Sequence, residues 1–304
     1  MRRAIRRTLL VAGATVTALA VAVFAIAASV LAGVRLPVVS GTTYLQVAKI
    51  SSGATANRVA GQLTHPFYVL LVGNDSRPGV GGARGDALHV LGVNPALHEA
   101  SMLDIPRDMC WQGEKINVGN TQGPRVQADD VGGLLGVNIA YVVDVDFAGF
   151  VGLVDGVGGV EVDVPTVMHD PYSGAYFAPG PQHMDGEQAL AFSRDRHDFP
   201  QSDIIRTSNQ GLLILDAMRQ LRADMQTADG EFKLIALLGR HAQLDGIGLK
   251  DLYHLSRIAF SLDPSQIKNV NVPYAGGSNN CITPAPEAAG LFADFRDDAL
   301  LESH

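Results

Sequence analysis

Cysteine is almost absent, with only Cys110 and Cys281 in 304 residues. Neither has a second cysteine or a paired histidine at ligand spacing, which excludes the compact zinc modules. The nine histidines are equally scattered and are assigned no role. The glycine-rich stretch Pro78-Gly79-Val80-Gly81-Gly82-Ala83 is not followed by Lys-Ser or Lys-Thr. It is therefore no nucleotide phosphate cradle and reads as a mobile flap. Internal repeats are missing, and so is any low-complexity tract outside the N-terminal apolar run, so the chain is neither a solenoid nor disordered. A positive excess is missing as well: the net charge is -8. Every charge in the first 35 residues is an arginine (Arg2, Arg3, Arg6, Arg7, Arg35), and setting those five aside leaves 18 basic against 31 acidic residues, a balance of -13. So acidic a domain is a poor nucleic-acid binder, and arginines clustered in it serve a local anion.

What is present begins with one long uncharged run, Leu9 to Val34, which exceeds the roughly 20 residues needed to cross a bilayer. Arg2, Arg3, Arg6 and Arg7 precede it, so the expected arrangement is a cytoplasmic N-terminus at 1–8, a transmembrane anchor at 9–34 and everything later outside the cell. A signal peptide cut near Ala27 to Ala32 is the competing reading, but the run is longer than a signal core. Residues 35–65 read as a juxtamembrane stalk, partly helical around Leu45 to Leu63, and 66–304 as one extracytoplasmic domain. In that compartment Cys110 and Cys281 can form a disulfide; the alternative is two separate buried thiols.

Within the domain, Phe67 to Val72 has the composition of a buried strand, as do Ala87 to Val93, Ala100 to Ile105, Ile139 to Val145, Gly159 to Val164 and Ile267 to Val272. Helices are expected over Asp129 to Leu135, Phe147 to Val157, Gly186 to Phe192, Ser202 to Arg222, Glu231 to Leu238, Leu249 to Phe260 and Pro286 to Phe292. Strands interleaved with helices predict an α/β fold, an α-β-α sandwich around a central mixed sheet.

Chemistry gathers in three places. Asp75, Arg77, Arg84 and Asp86 surround the glycine loop, and carboxylates at strand ends suit a hard cation, although loop aspartates are more often solvated turn residues. Arg107 follows a strand stopped by Pro106, so its side chain leaves the sheet at an edge where ligands bind; the bland alternative is an ion pair with Asp108. Lys115-Ile116-Asn117 sets a charge and an amide around one buried residue. The densest group is Arg194 and Arg196 at a helix end, followed by Asp203, Arg206 and Gln210, whose spacing of three and four puts them on one helical face. Guanidinium groups grip phosphate oxygens in a bidentate fork and keep their charge, which fits a diphosphate. Trp111 reads as a packing residue.

These motifs together resemble the LytR-CpsA-Psr family, enzymes that attach anionic or capsular glycans to the bacterial cell wall. The resemblance covers Phe67 to Leu221 and rests on seven ordered segments: Leu71-Val72-Gly73-Asn74-Asp75-Ser76-Arg77, Arg84-Gly85-Asp86, Ile105-Pro106-Arg107-Asp108, Lys115-Ile116-Asn117, Asp146-Phe147-Ala148-Gly149-Phe150, Asp155-Gly156-Val157-Gly158-Gly159-Val160 and Arg194-Asp195-Arg196. Gly85 departs from the family's usual serine. The resemblance implies a polyprenyl diphosphate-linked glycan as donor, its lipid in an apolar tunnel, and a peptidoglycan hydroxyl as acceptor at the membrane surface. It implies that Asp75 and Asp86 hold Mg²⁺ (or Mn²⁺), that Arg84, Arg107, Arg194, Arg196, Arg206 and Gln210 bind the diphosphate, and that Asp203 supports the arginines. Arg107, Asp75 and Asp86 are then the catalytic residues of a phosphotransferase. Two alternatives use the same residues: a polyprenyl diphosphate hydrolase, and a lipid-binding regulatory membrane protein without turnover.

Overall fold

A seven-stranded mixed sheet forms the frame of the computed structural model, which describes residues 45–50, 58–59, 62–63, 65–76, 83–196, 202–224, 242–247, 249–277 and 281–302. The strands are β1 (Leu45–Lys49), β2 (Phe67–Asn74), β3 (Gly85–Asn94), β4 (Glu99–Asp104), β5 (Ile139–Val145), β10 (Ala242–Asp245) and β11 (Lys268–Asn271). Their spatial order is β10-β1-β5-β2-β3-β4-β11. β2, β3 and β4 form an antiparallel meander, whereas β2 pairs with β5 and β4 with β11 in parallel. Because both faces are covered, these strands carry near-continuous apolar runs, which is why they are legible in the sequence.

One face packs Leu70, Val72, Leu88 and Val90 against α1 (Pro124–Leu135) and α6 (Ala288–Asp298) through Val131, Leu135, Leu291 and Phe295. The other packs Phe67, Val93, Met102 and Tyr141 against α4 (Ser202–Asp224) and α5 (Leu249–Ser261). A separate small core joins α2 (Phe147–Gly156) and α3 (Gly186–Arg194) to two hairpins, β6 (Val160–Val164) with β9 (Gly180–Met184) and β7 (Met168–Asp170) with β8 (Ala175–Phe177). Leu213 of α4 belongs to this third core, so α4 faces both it and the sheet.

Local chemistry starts the two helices beside the site. Asp146 caps α2 by accepting from Gly149 N at 2.7 Å, and Asp185 with Gln188 forms a capping box on α3.

One expectation changes, one alternative is decided, and two expectations lie outside the described residues. Leu45–Lys49, expected as part of a partly helical stalk, is an inner strand of the sheet, and Arg58–Val59 pairs with Gln62–Leu63 as a short hairpin. Non-local pairing decides β1, because five residues of mild alternation carry little local preference. Cys110 and Cys281 are bridged, with Cα atoms 5.2 Å apart, joining the loop after Arg107 to the segment before α6. The helix expected over Glu231 to Leu238 and the anchor at Leu9 to Val34 lie outside the described residues; among the described residues no helix is long and apolar enough to cross a membrane. Trp111 does pack: a Cβ on Gly133 of α1 would come within 2.4 Å of its ring.

Candidate active site

The carboxyl ends of β2, β4 and β5 open onto a cavity of about 660 Å³ between the sheet and α2, α3 and α4. Ligands of open α/β sheets bind at such ends, because the loops there are free to carry polar groups. Its wall has two characters. Leu71, Val143, Phe147, Phe150, Leu190 and Ile214 line an apolar interior, while Asp75, Asp86, Arg107, Arg194, Arg196 and Arg206 supply the polar part.

The polar groups are linked. Arg107 Nη1 donates to Asp86 Oδ1 at 2.9 Å, and Asn117 Nδ2 reaches the same oxygen at 3.4 Å. Asp203 Oδ1 stands between two guanidinia, 3.8 Å from Arg107 Nη2 and 3.2 Å from Arg206 Nη2. Gln210 Nε2 is held by the Ser193 carbonyl at 3.0 Å, and Arg194 lies over the Phe147 ring at 5.0 Å. Lys115 pairs with Asp108 at 2.9 Å, which fixes the far side of the Arg107 loop.

Burial disfavours the Arg107 cation, but Asp86 and Asp203 outweigh that, and its pKa rises above the usual arginine value. Arg206 moves the other way. Burial, and next the charge of Arg107, push it below the usual value despite Asp203. Its side chain is only 7% exposed, and among the described residues its Nε, Arg107 Nε and Gln210 Oε1 are buried without a hydrogen-bond partner. Buried cations left short of acceptors mark a place built for an anion.

Asp75 and Asp86 face the same cavity. Each commits one oxygen, Asp75 Oδ1 to the Arg84 N–H at 2.9 Å and Asp86 Oδ1 to Arg107 and Asn117. Among the described residues, that leaves Oδ2 of both carboxylates for a cation. Two hard carboxylates fit Mg²⁺, which takes its other oxygens from water and phosphate. No group of three or more His, Cys, Asp or Glu that could hold a metal exists among the described residues, so a cation here needs the ligand's oxygens.

Sequence comparison bears on the same segments. The profile described as the LytR_cpsA_psr family matches residues 39–289. The chain belongs to that family. The polyisoprenyl-teichoic acid–peptidoglycan teichoic acid transferase TagU of Bacillus mycoides is 34% identical over 169 residues, 53% of this chain and 54% of its own length. TagU of Bacillus subtilis is 32% identical over 156 residues, 49% of this chain and 50% of its own. The chain thus spans about half the length of the curated relatives it matches. Among solved structures, TagV of B. subtilis aligns with a TM-score of 0.64 at 24% identity, covering 79% of this chain and 99% of TagV. A LytR-Csp2A-Psr enzyme from Actinomyces oris gives 0.65 at 21%, covering 79% and 95%. TagT bound to LI-WTA gives 0.61 at 20%, covering 83% and 99%. These likenesses show the LytR-CpsA-Psr fold.

Most of the family-motif residues meet at the cavity. Asp75, Asp86, Arg107, Arg194, Arg196, Arg206 and Gln210 line it, and Asp203 stands behind two of the arginines. Arg84 does not line it. Its backbone is tied to Asp75 at the entry to β3 and its side chain is exposed. Arg77 and the glycine flap at 78–82 lie outside the described residues.

Three lining groups went unassigned in the sequence. Asp146 faces the cavity from the start of α2, where its capping role was readable. Asp170 is buried and accepts from the Arg196 N–H at 3.4 Å, tying the β7–β8 turn to the second arginine. His89 lines the wall, paired with Asp104 across two strands. Only a correct β3–β4 register would have brought that pair together.

Proposed function

We propose that this protein moves a glycan phosphate from a polyprenyl diphosphate-linked donor to a hydroxyl of peptidoglycan. The observation that carries the reading is one cavity lined both by apolar side chains and by four arginines. An amphipathic donor suits it: the hydrocarbon enters, and the diphosphate stops where guanidinia replace its water. The transferase names of the relatives support the same reaction class.

In the proposed step the acceptor oxygen attacks the glycan-bearing phosphorus. The new O–P bond forms as the bond to the bridging oxygen breaks, the acceptor hydroxyl gives its proton to solvent, and polyprenyl phosphate departs. Such transfers depend on positioning and charge neutralisation. Arg107 and Arg206 neutralise the diphosphate, and Asp203 holds both guanidinia toward it. Arg194 and Arg196 close the other side. Asp75 and Asp86 would hold Mg²⁺ or Mn²⁺, which supplies further neutralisation at the phosphate oxygens when bound. The anchor expected at 9–34 would keep the site at the outer face of the cell membrane, where a lipid-linked donor is met.

The test incubates the purified protein with a polyprenyl diphosphate-linked glycan, with and without peptidoglycan, and analyses products by mass spectrometry. Glycan phosphate on peptidoglycan is expected, and Arg107→Ala should abolish it. Equal release of free glycan phosphate with and without acceptor would make the protein a hydrolase instead. Lipid retained with no product at all would make it a binding protein.

A further inference from the structure

A second acid–base pair stands deeper between the strands that carry Asp86 and Arg107. His89 of β3 and Asp104 of β4 are direct partners in the strand register, and His89 Nδ1 lies 2.6 Å from Asp104 Oδ1. They are 1% and 0% exposed. Asp104 Oδ2 accepts from Asn269 Nδ2 of β11 at 2.9 Å. α4 admits the carboxylate through a glycine, since a Cβ on Gly211 would lie 2.6 Å from Asp104 Oδ2.

The carboxylate is therefore satisfied on both oxygens, and the imidazole is not. Among the described residues His89 Nε2 is buried without a hydrogen-bond partner, and the side chain lines the cavity. With Nδ1 turned to Asp104, Nε2 takes the tip of the ring, away from β4. An apolar wall is built more cheaply from leucine or methionine than from a buried ionisable pair with one nitrogen unpaired. Such an atom beside a ligand cavity calls for a ligand atom.

We propose that His89 Nε2 donates a hydrogen bond to the lipid-side phosphate of the donor, and that the imidazole takes up one proton from water as the donor binds. The proposal rests on the diphosphate reading of the cavity. In the bound state the imidazolium bridges two anions, Nδ1–H to Asp104 and Nε2–H to a phosphate oxygen. The placement suits that phosphate. Along β3 His89 follows by three residues Asp86, the carboxylate that holds Arg107, and both line the cavity. α4 runs from Arg206 through Gln210 to Gly211, which covers Asp104. The lipid-side phosphate is the part of the donor that bridges the arginines and the apolar wall.

Other ionisable groups share the space. Asp86 lies on the same strand, Arg107 beyond the end of β4, Arg206 on α4 and Asp146 at the start of α2. β2 and β11 bring Leu71 and Asn269 to the pair, and neither titrates. In this proposal the bound anion is a second negative partner for the imidazole beside Asp104, which ties proton uptake to binding.

Farnesyl diphosphate is the probe, with the full chain in detergent. Imidazole resonances are followed by NMR at pH 7, and affinity is measured at pH 6 and pH 8 for the wild type, His89→Gln and Asp104→Asn. One histidine should move to the imidazolium position on saturation, and that signal should be missing in His89→Gln. Wild-type binding should tighten at pH 6 relative to pH 8 by more than in His89→Gln, whose affinity at pH 6 should fall roughly tenfold, the worth of a hydrogen bond to a charged group. Asp104→Asn should lose most of the same advantage. If the wild type binds the probe and no histidine changes protonation, the proposal is overturned and the diphosphate reading stands. That readout needs no folded variant. No binding by the wild type at any pH would sink both.

Discussion

Arg107 Nη1 donates a 2.9 Å hydrogen bond to Asp86 Oδ1. The arginine that would neutralise the diphosphate is thereby oriented by a carboxylate that would also hold the cation, so the two functions are mechanically joined.

Arg107→Ala should lower glycan transfer at least a hundredfold, the scale for removing a charged stabiliser of a phosphoryl transition state. Arg107→Lys keeps the charge without the fork and should recover only part of it. Thermal unfolding checks that the fold survives. A rate within a fewfold of wild type for Arg107→Ala would remove Arg107 from the mechanism.

Arg84→Ala should be far milder than Arg107→Ala, because the Arg84 side chain is exposed and only its backbone meets Asp75. The comparison is a side-by-side transfer assay. Equal losses would show that the side chain swings into the cavity when donor binds.

Chelation should abolish transfer and added Mg²⁺ should restore it. Asp75→Asn and Asp86→Asn should raise the Mg²⁺ concentration needed for half-maximal rate, Asp86→Asn with the larger loss because it also releases Arg107. Full activity in excess chelator would exclude the cation role of both carboxylates.

Asp144 ties stability to pH. It is 2% exposed, accepts from Asn74 Nδ2 at 2.8 Å, and burial raises its pKa from 3.8 to about 6. Below about 3.8 it is protonated both folded and unfolded, and contributes no difference. As pH rises through about 6 the folded state alone must hold a buried charge. Stability from this group is thus lost with rising pH across that window, by about 3 kcal/mol in all. Thermal melts from pH 4 to 7.5 should show this slope, and Asp144→Asn should flatten it. An unchanged slope in the variant would assign it elsewhere.

Removing the disulfide should destabilise the domain by about 4 kcal/mol, since Cys110 and Cys281 are 171 residues apart and the bridge restricts the unfolded chain. The bridge also holds the Arg107 loop: Cys110 N–H meets the Ile282 carbonyl at 2.7 Å, and Ile282 N–H meets that of Asp108 at 2.9 Å. Cys110→Ser with Cys281→Ser should therefore lower the melting temperature and weaken donor binding. A variant that melts like the wild type would contradict the first expectation.

The amino-acid sequence alone determined the elements whose signal is local. Phe67 to Val72 reads as a strand because both faces of the sheet are covered, and the start of α3 is legible because Asp185 and Gln188 cap it within four residues. It also determined which residue types converge, because Arg107, Arg194 and Arg196 sit in ordered motifs and Arg206 shares a helical face with Asp203 and Gln210 in an acidic chain. Tertiary structure decided the rest, wherever the partners are distant. β1 became a strand by pairing with β5 and β10, the Arg84 backbone met Asp75 across the loop, and His89 met Asp104 only through the β3–β4 register. Even the link between Arg107 and Asp86 is of this kind. Composition supplies the charges, but which carboxylate orients which guanidinium depends on strands folded side by side.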